Sequence, residues 1–172
     1  MALEIKIADD LVDAELEARW TARRAERDRG LLQHILRAFV EDGGPLPVEA
    51  LRRRVEARAS GSLTDKLTRL HEEDYLLVAD GQVRLAYPFS GVPTAFAVVL
   101  PGGQRRYACC AIDALGVAAM LRQRIDIRSP CHHCGAPLAF WADAEGPSPD
   151  AAELMVWVGK RAADQHRVSD SL

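Results

Sequence analysis

Residues 62–86 read SLTDKLTRLHEEDYLLVADGQVRLA, and this stretch predicts a short helix followed by a β-hairpin. Ser62 is placed to cap the helix, with Asp65 in the capping-box position. Asp80-Gly81 is a two-residue turn signal, and the apolar runs on either side of it are typical of paired strands. The apolar stripe of the helix consists of Leu63, Leu67 and Leu70.

Two more helices are predicted upstream of this stretch. The first covers residues from about 11 to 41, where apolar side chains recur at helical spacing before a Gly-Gly pair stops it. The second begins at Pro47-Val48-Glu49 and ends near Ser60-Gly61. Three short helices followed by a hairpin are the order of a winged-helix unit, so we expect residues 1–87 to form a winged-helix-like helical domain.

A second region is expected from residue 88 to residue 172, because Pro88 and Pro93 interrupt the chain after the hairpin. Residues 108 to about 123 are predicted to form a helix that carries cysteines near its start. The fold class predicted from the whole pattern is α+β, with the winged-helix-like unit followed by a small mixed sheet and a Cys-bearing helix. The strands of that sheet are predicted at residues 95–100, 105–107, 125–128, 137–141 and 154–158.

The composition indicates a folded protein in an aqueous compartment. With 172 residues, 48% of them hydrophobic, the chain can build a core, while its apolar runs fall far short of the roughly 20 residues that span a bilayer. The acidic start MALEIKIADDLVDAEL is unlike a signal peptide, so we expect a cytoplasmic location and no membrane partner. A net charge of -3 and the balanced charge of the third helix disfavour DNA binding. Trp141 and Trp157 are expected in the core or lining a pocket.

The stretch YACCAID, residues 107–113, places two adjacent thiols and a carboxylate close together. On a helix, Asp113 would lie four residues after Cys109 and three after Cys110, so one carboxylate could reach either thiol. The positive end of the helix dipole favours the thiolate, which is both the nucleophile and the ligand for soft metals. The alternative is that both cysteines are small buried apolar side chains and that Asp113 is a solvated helix residue.

The stretch CHHC, residues 131–134, has the C-x-x-C spacing of a zinc knuckle. A structural zinc needs four ligands and a second C-x-x-C is missing, so closure would use His132, His133 or the Cys109–Cys110 pair. The alternative is a tight turn with one buried cysteine and surface histidines. Cys131 and Cys134 are therefore candidate metal ligands, with the two histidines as further candidates.

The order of these motifs resembles the alkylmercury (organomercurial) lyase family, in which a tyrosine-containing lead, a C-A-x-D helix and an S-x-C-x-x-x-G-x-P turn follow one another. Cys110-Ala-Ile-Asp113 matches the helix pattern, and SPCHHCGAP, Ser129 to Pro137, matches the turn. The N-terminal portion of the family is also a small winged-helix-like unit. The resemblance covers most of the chain from about Leu31 and makes residues 88–172 an alkylmercury-lyase-like α/β catalytic or metal-binding region.

The resemblance implies protonolysis of a carbon–mercury bond. A thiolate at Cys110 would take the mercury, and the carboxylate of Asp113 would relay a proton from thiol to the leaving carbon, which gives a hydrocarbon and Hg(II). The implied partners are a small organomercurial and the cellular thiols that remove the product ion. No cofactor is required for such catalysis, since Hg(II) is substrate or product, and zinc or copper are further ions that the thiols could hold.

One feature of the resemblance concerns the second mercury ligand. Family members carry another mercury-binding cysteine after the strand that residues 154–158 resemble, whereas no cysteine follows Cys134 in this sequence. This departure indicates either a shortened or divergent member of the family, or a chain in which another thiol takes that role. Cys109 is the first candidate because it adjoins Cys110, and Cys134 is the second if the CHHC turn folds over the helix.

Two other functions fit the same residues. One is a non-catalytic thiol-based binder of mercury, copper or zinc that acts as a sensor or carrier. The other is a metal-responsive winged-helix regulator that binds DNA. Turnover of an organomercurial separates an enzyme from a binder, and salt-sensitive retention on DNA would identify a regulator.

Overall fold

The structure, a computed structural model, describes residues 29–55 and 62–157, together with the individual residues 5–7, 10, 14, 17, 18, 21 and 22. The predicted α+β class is confirmed. The helices in the two continuous ranges are α1 (Arg29–Glu41), α2 (Val48–Val55), α3 (Leu63–Glu72) and α4 (Ala111–Leu121). The strands are β1 (Leu46–Pro47), β2 (Leu76–Ala79), β3 (Gln82–Ala86), β4 (Phe89–Ser90), β5 (Phe96–Val99), β6 (Arg105–Ala108), β7 (Ile125–Pro130) and β8 (Pro137–Ala142).

The N-terminal helices and hairpin form where the sequence predicts them. Ser62 caps α3, since its hydroxyl accepts a hydrogen bond from the Asp65 N–H at 3.4 Å. The β2–β3 hairpin turns at Asp80 and Gly81, both of which have positive φ. The predicted first helix is confirmed from Arg29 onward, and most of its earlier part lies outside the described residues.

All strands belong to one sheet, and every strand pair is antiparallel, where a mixed sheet was expected. The hairpin strand β3 pairs with β2 along one edge and with β1 and β4 along the other. β4 then pairs with β6, and the order continues through β5 and β7 to β8. The antiparallel pattern arises because short loops connect most consecutive strands, and a parallel pair would need a long crossover.

One core runs beneath both halves of the chain. Phe39 of α1 stacks on Phe89 of β4 with ring centroids 6.3 Å apart, and the same buried cluster extends to Val117 of α4. The division expected between residues 87 and 88 falls in the connection from β3 to β4, and it stays a prediction. None of the helices in the described ranges is long and apolar enough to cross a membrane.

The strand predicted at residues 154–158 is wrong over residues 154–157, and Val158 lies outside the described residues. The outer edge of β8 is instead occupied by Pro147 and Ser148, since Pro147 bridges Ala142 and the Ser148 N–H donates to the Trp141 carbonyl at 2.8 Å. A 3-10 turn at Pro149–Ala151 then directs the chain away from the sheet. Trp157 is 60% exposed, so it does not lie in the core, which was one of the two places expected for it.

Arg106 of β6 joins the sheet to the end of α1. Its guanidinium donates hydrogen bonds to the carbonyls of Phe39 at 2.8 Å, Val40 at 2.6 Å and Glu41 at 2.8 Å. These are carbonyls of the last turn of the helix, which lack partners within the helix and carry the negative end of its dipole. One side chain therefore satisfies the helix end and fixes the strand that leads into the cysteine pair.

We expect Arg106→Met to lower the free energy of unfolding by roughly 1–3 kcal/mol, because the helix carbonyls lose a charged donor. Urea denaturation followed by circular dichroism measures the change. Arg105→Met is the matched control, since Arg105 is exposed on the same strand. Arg106→Lys should restore little of the lost stability, since an ammonium cannot reproduce the guanidinium fork. Equal stability of all three variants and the wild type would contradict the role given to Arg106.

Candidate active site

The sheet topology brings the two cysteine motifs to one end of the molecule. Ala108 ends β6 opposite Phe96, and Arg128 of β7 lies opposite Ala97 on the other side of β5. Because β6 and β7 are both antiparallel to β5, they run in the same direction. The residues after them therefore leave the sheet at the same end of the strands. Two strand spacings separate β6 from β7, which is about 10 Å. The Cys109–Cys110 pair and the turn that begins at Cys131 therefore follow two strands that end on the same side of the sheet.

The start of α4 differs from the sequence prediction. The helix begins at Ala111, so Cys109 and Cys110 precede it, and Cys110 is its N-cap with an extended backbone. The Cys110 sulfur accepts a hydrogen bond from the Asp113 N–H at 3.4 Å. Cys109 is only 5% exposed, and its N–H donates to the Pro88 carbonyl at 3.0 Å. This hydrogen bond continues the β4–β6 pairing past Ala108, and it holds the cysteines in extended chain instead of on the helix surface.

Burial decides the charge of the two thiols. The N-terminal N–H groups of α4 lower the pKa of Cys110, as expected for a helix start, but desolvation outweighs them and raises the pKa of this thiol to about 11. Desolvation, with the Asp113 carboxylate and Cys110 nearby, raises the pKa of Cys109 further still. Both thiols are thus protonated at neutral pH, which corrects the expectation that the helix dipole alone would favour thiolate.

Asp113 is the acidic partner of Cys110. Its side chain is half-buried, and desolvation raises its pKa, while hydrogen bonds with Cys110 partly offset that rise. The side-chain hydrogen bond with Asp113 in turn raises the pKa of Cys110, as expected when the thiol donates to the carboxylate. The predicted pair of Cys110 and Asp113 is in contact.

Tyr87 belongs to the same corner, and the sequence pattern gave no reason to single it out. Its hydroxyl oxygen is buried and has no hydrogen-bond partner among the described residues. Desolvation raises its pKa, and electrostatic interactions with Asp74, Cys109, Asp113 and Cys110, in that order of size, raise it further. A buried hydroxyl without a hydrogen-bond partner lowers the stability of the fold. Its position beside two thiols and a carboxylate therefore makes Tyr87 a candidate residue of the site.

Thr94 is a second residue that sequence reasoning missed. Its hydroxyl donates to the Ala108 carbonyl at 2.6 Å and accepts from the Phe96 N–H at 3.1 Å. The side chain therefore pins the last residue of β6, immediately before Cys109, to the start of β5. Only the strand register reveals this contact, since Thr94 lies 14 positions before Ala108.

The CHHC turn is a compact loop on the surface. The Cys131 N–H donates to the Ala136 carbonyl at 2.7 Å, and the Gly135 N–H donates to the Cys131 carbonyl at 2.9 Å. Gly135 has a φ of 72°, which glycine adopts without strain. His132, His133 and Cys134 are exposed, and the His132 ring stacks on Trp157 with centroids 5.5 Å apart.

The zinc site considered for this turn is not assembled in the part of the chain that the structure describes. No group of three or more His, Cys, Asp or Glu side chains in that part is placed to hold a metal ion. Neither His132 nor His133 therefore completes a ligand set with the cysteines, and the Cys109–Cys110 pair does not close one with the turn. All four cysteines are free of disulfides.

The comparisons with known proteins agree with this geometry. The alkylmercury lyase family model matches residues 89–172, the part that carries both cysteine motifs. Residues 89–172 are therefore similar to the alkylmercury lyase family. The crystal structure of the mercury-bound form of MerB2 matches with a TM-score of 0.60 and 22% sequence identity, over 79% of this chain and 66% of that chain. At this identity the match to MerB2 shows a shared fold, and the chain spans slightly less than two thirds of that structure. A search of curated proteins gave no match.

We expect Asp113→Asn to be more stable than the wild type at pH 7. Because the pKa of Asp113 is raised on folding, the folded state holds this proton more tightly than the unfolded chain, and ionising the carboxylate costs stability. That cost is present at neutral pH and disappears below the ordinary pKa of aspartate, about 4.

Urea unfolding at pH 7 and at about pH 4 should therefore show an advantage of Asp113→Asn that shrinks as the pH falls. The exposed Asp126 provides the control, since Asp126→Asn removes a carboxylate from the solvated face of β7. An advantage of Asp113→Asn that is the same at both pH values would contradict the raised pKa.

Proposed function

We propose that this protein cleaves carbon–mercury bonds by protonolysis, with Cys110 and Asp113 as the reactive pair. The observation that carries the proposal is the contact between the Cys110 thiol and Asp113 at the half-buried start of α4. The match of residues 89–172 to the alkylmercury lyase family model and the fold shared with MerB2 support it. The substrate is a small organomercurial, the products are a hydrocarbon and Hg(II), and no cofactor takes part.

Mercury capture at Cys110 is the first step. With a pKa of about 11, this thiol keeps its proton until an organomercurial cation reaches the sulfur. Formation of the sulfur–mercury bond displaces that proton, because a thiol that coordinates a soft metal ion is deprotonated. The Asp113 carboxylate is the hydrogen-bond partner of the thiol, so it accepts the proton.

Cleavage of the carbon–mercury bond is the second step. Asp113 returns its proton to the carbon as the electron pair of the bond moves to that carbon, and the hydrocarbon leaves. Burial raises the pKa of Asp113, which favours its acid form relative to that of an ordinary aspartate. Mercury remains on the protein as a thiolate complex of Hg(II), and cellular thiols remove it.

Cys109 is the thiol we propose as the second mercury ligand. It adjoins Cys110, it lies in the same buried corner, and its pKa is raised by burial and by Asp113. A second sulfur, whose displaced proton is released to solvent, adds electron density to the metal and makes the bound carbon easier to protonate. Cys134, the other candidate, is exposed on the turn after β7.

Tyr87 is proposed to support the mercury-bound state. A thiolate at Cys109 needs a hydrogen-bond donor to compensate for its burial. The Tyr87 hydroxyl is buried, unpaired among the described residues and electrostatically coupled to Cys109. We infer that it donates to the Cys109 sulfur once mercury has displaced the thiol proton.

The remaining features of the chain fit this role. Residues 1–87 are proposed as the winged-helix-like unit that supports the site, and residues 88–172 as the catalytic region. A cytoplasmic location, where thiols are reduced and abundant, suits both the free cysteines and the release of Hg(II). DNA and membranes have no part in the proposed chemistry.

The decisive experiment is release of benzene from phenylmercury acetate by the purified full chain in excess thiol. Cys110→Ser and Asp113→Asn should each lower the rate by about 100-fold or more, because one removes the mercury ligand and the other the proton relay. Cys109→Ser should lower the rate while Cys134→Ser preserves it, if Cys109 is the second ligand. Asp126→Asn serves as the control for loss of an unrelated carboxylate.

Gas chromatography of the headspace measures benzene, and mass spectrometry of the protein measures retained mercury. Stoichiometric mercury binding by the wild type without benzene release would replace the lyase proposal by the non-catalytic binder. A rate that depends on Cys134 and not on Cys109 would reassign the second ligand.

Tyr87→Phe tests the hydroxyl apart from the ring. We expect this variant to be at least as stable as the wild type in urea, because it removes a buried hydroxyl that has no partner in the free site. We also expect slower benzene release, by about 10-fold, the equivalent of one hydrogen bond of about 1.4 kcal/mol. A variant that loses stability and keeps its full rate would show that the hydroxyl serves the fold and not the reaction.

A further inference from the structure

We propose that Cys131 and Cys134 form a second site for inorganic Hg(II), separate from the Cys109–Cys110 pair, in which the ion lies between two sulfurs. The site requires no carbon–mercury cleavage, so it goes beyond the proposed lyase function. Binding replaces two thiol protons by one mercury ion, and two protons are released to solvent. The bound state is a dithiolate of Hg(II), with no change in oxidation state.

Backbone hydrogen bonds shape the turn that carries the two cysteines. The bonds from Cys131 N–H to the Ala136 carbonyl and from Gly135 N–H to the Cys131 carbonyl close the loop. Within it, two residues separate Cys131 from Cys134, which is the C-x-x-C spacing of a metal-binding turn. A closed turn of this spacing can present two sulfurs to one metal ion.

The two sulfurs of this turn are reachable from solvent, unlike those of the buried pair. Cys134 is exposed and Cys131 half-buried, and both are free, so an ion can reach the two sulfurs from solvent.

The number of ligands selects mercury over zinc. Two thiolates satisfy Hg(II), a soft ion that accepts linear coordination, whereas a structural zinc requires four ligands. The described residues place no third His, Cys, Asp or Glu side chain with the pair. His132, the neighbouring imidazole, is engaged in a stack on Trp157.

The position of the turn gives the second site a use. The strands that lead into Cys110 and Cys131 end on the same side of the sheet, and two strand spacings, about 10 Å, separate them. Hg(II) left on the buried pair can move to the exposed pair by thiol exchange, and from there to small thiols in solution. This route, unlike binding itself, rests on the proposed lyase function.

The test titrates the reduced full chain with mercuric chloride in the presence of excess glutathione, which removes weakly held ions. Mercury that survives gel filtration is counted by mass spectrometry. We expect two equivalents for the wild type, one for the double variant Cys131→Ser/Cys134→Ser and one for Cys109→Ser/Cys110→Ser. His132→Ala/His133→Ala is the matched control on the same turn and should retain two.

Trp157 provides an independent signal, because its ring stacks on His132 next to Cys131 and mercury quenches nearby indole fluorescence. Filling of the second site should quench a component of the fluorescence that Trp157→Phe and Cys131→Ser/Cys134→Ser both abolish. Retention of only one equivalent by the wild type, unchanged in Cys131→Ser/Cys134→Ser, would overturn the proposal. Loss of one equivalent in the histidine variant would also overturn it, because the ion would then not be held by two sulfurs alone.

Failure of the lyase function has a different signature. If phenylmercury is not cleaved but two equivalents of inorganic mercury are retained in this pattern, the second site stands and only the enzymatic proposal is lost. If benzene is released but Cys131→Ser/Cys134→Ser retains as much mercury as the wild type, the lyase stands and the second site is lost.

Discussion

The pairing of Phe89 with Ala108 is the contact on which the candidate site depends. It joins the hairpin of the N-terminal half to the strand that leads into the cysteines, and the hydrogen bond from the Cys109 N–H to the Pro88 carbonyl extends it by one residue. Because of this extension, Cys110 ends the strand and caps α4 at the same time. One strand pair thereby sets the position of the thiol, its backbone donors and its distance from Asp113.

The same corner shows how local and long-range effects compete at a reactive thiol. The N–H groups at the start of α4 favour a thiolate at Cys110, and burial opposes them more strongly. In the proposed protonolysis, the proton displaced from the Cys110 sulfur is the one that the carbon receives. Burial raises the pKa of Asp113, the residue proposed to hold this proton in the interval.

The protein carries its cysteines as two pairs in contrasting environments. Cys109 and Cys110 are enclosed and protonated, whereas Cys131 is on the surface with a pKa lowered by amide hydrogen bonds. The enclosed pair suits a reaction that must control one proton, and the surface pair suits rapid capture and exchange of an ion. Both pairs follow strands that end on the same side of the sheet, because β6 and β7 run in the same direction on either side of β5.

The sequence by itself determined the helices from Arg29 onward, the hairpin and the contact of Cys110 with Asp113, because these depend on spacing over a few residues. It also carried the family resemblance. Only the tertiary structure decided that the sheet is antiparallel throughout, that residues 154–157 form no strand, and that Cys109 lies before the helix. Strand pairing and burial join residues far apart in the chain, and for the same reason only the folded chain revealed Tyr87 beside the thiols and set their pKa values.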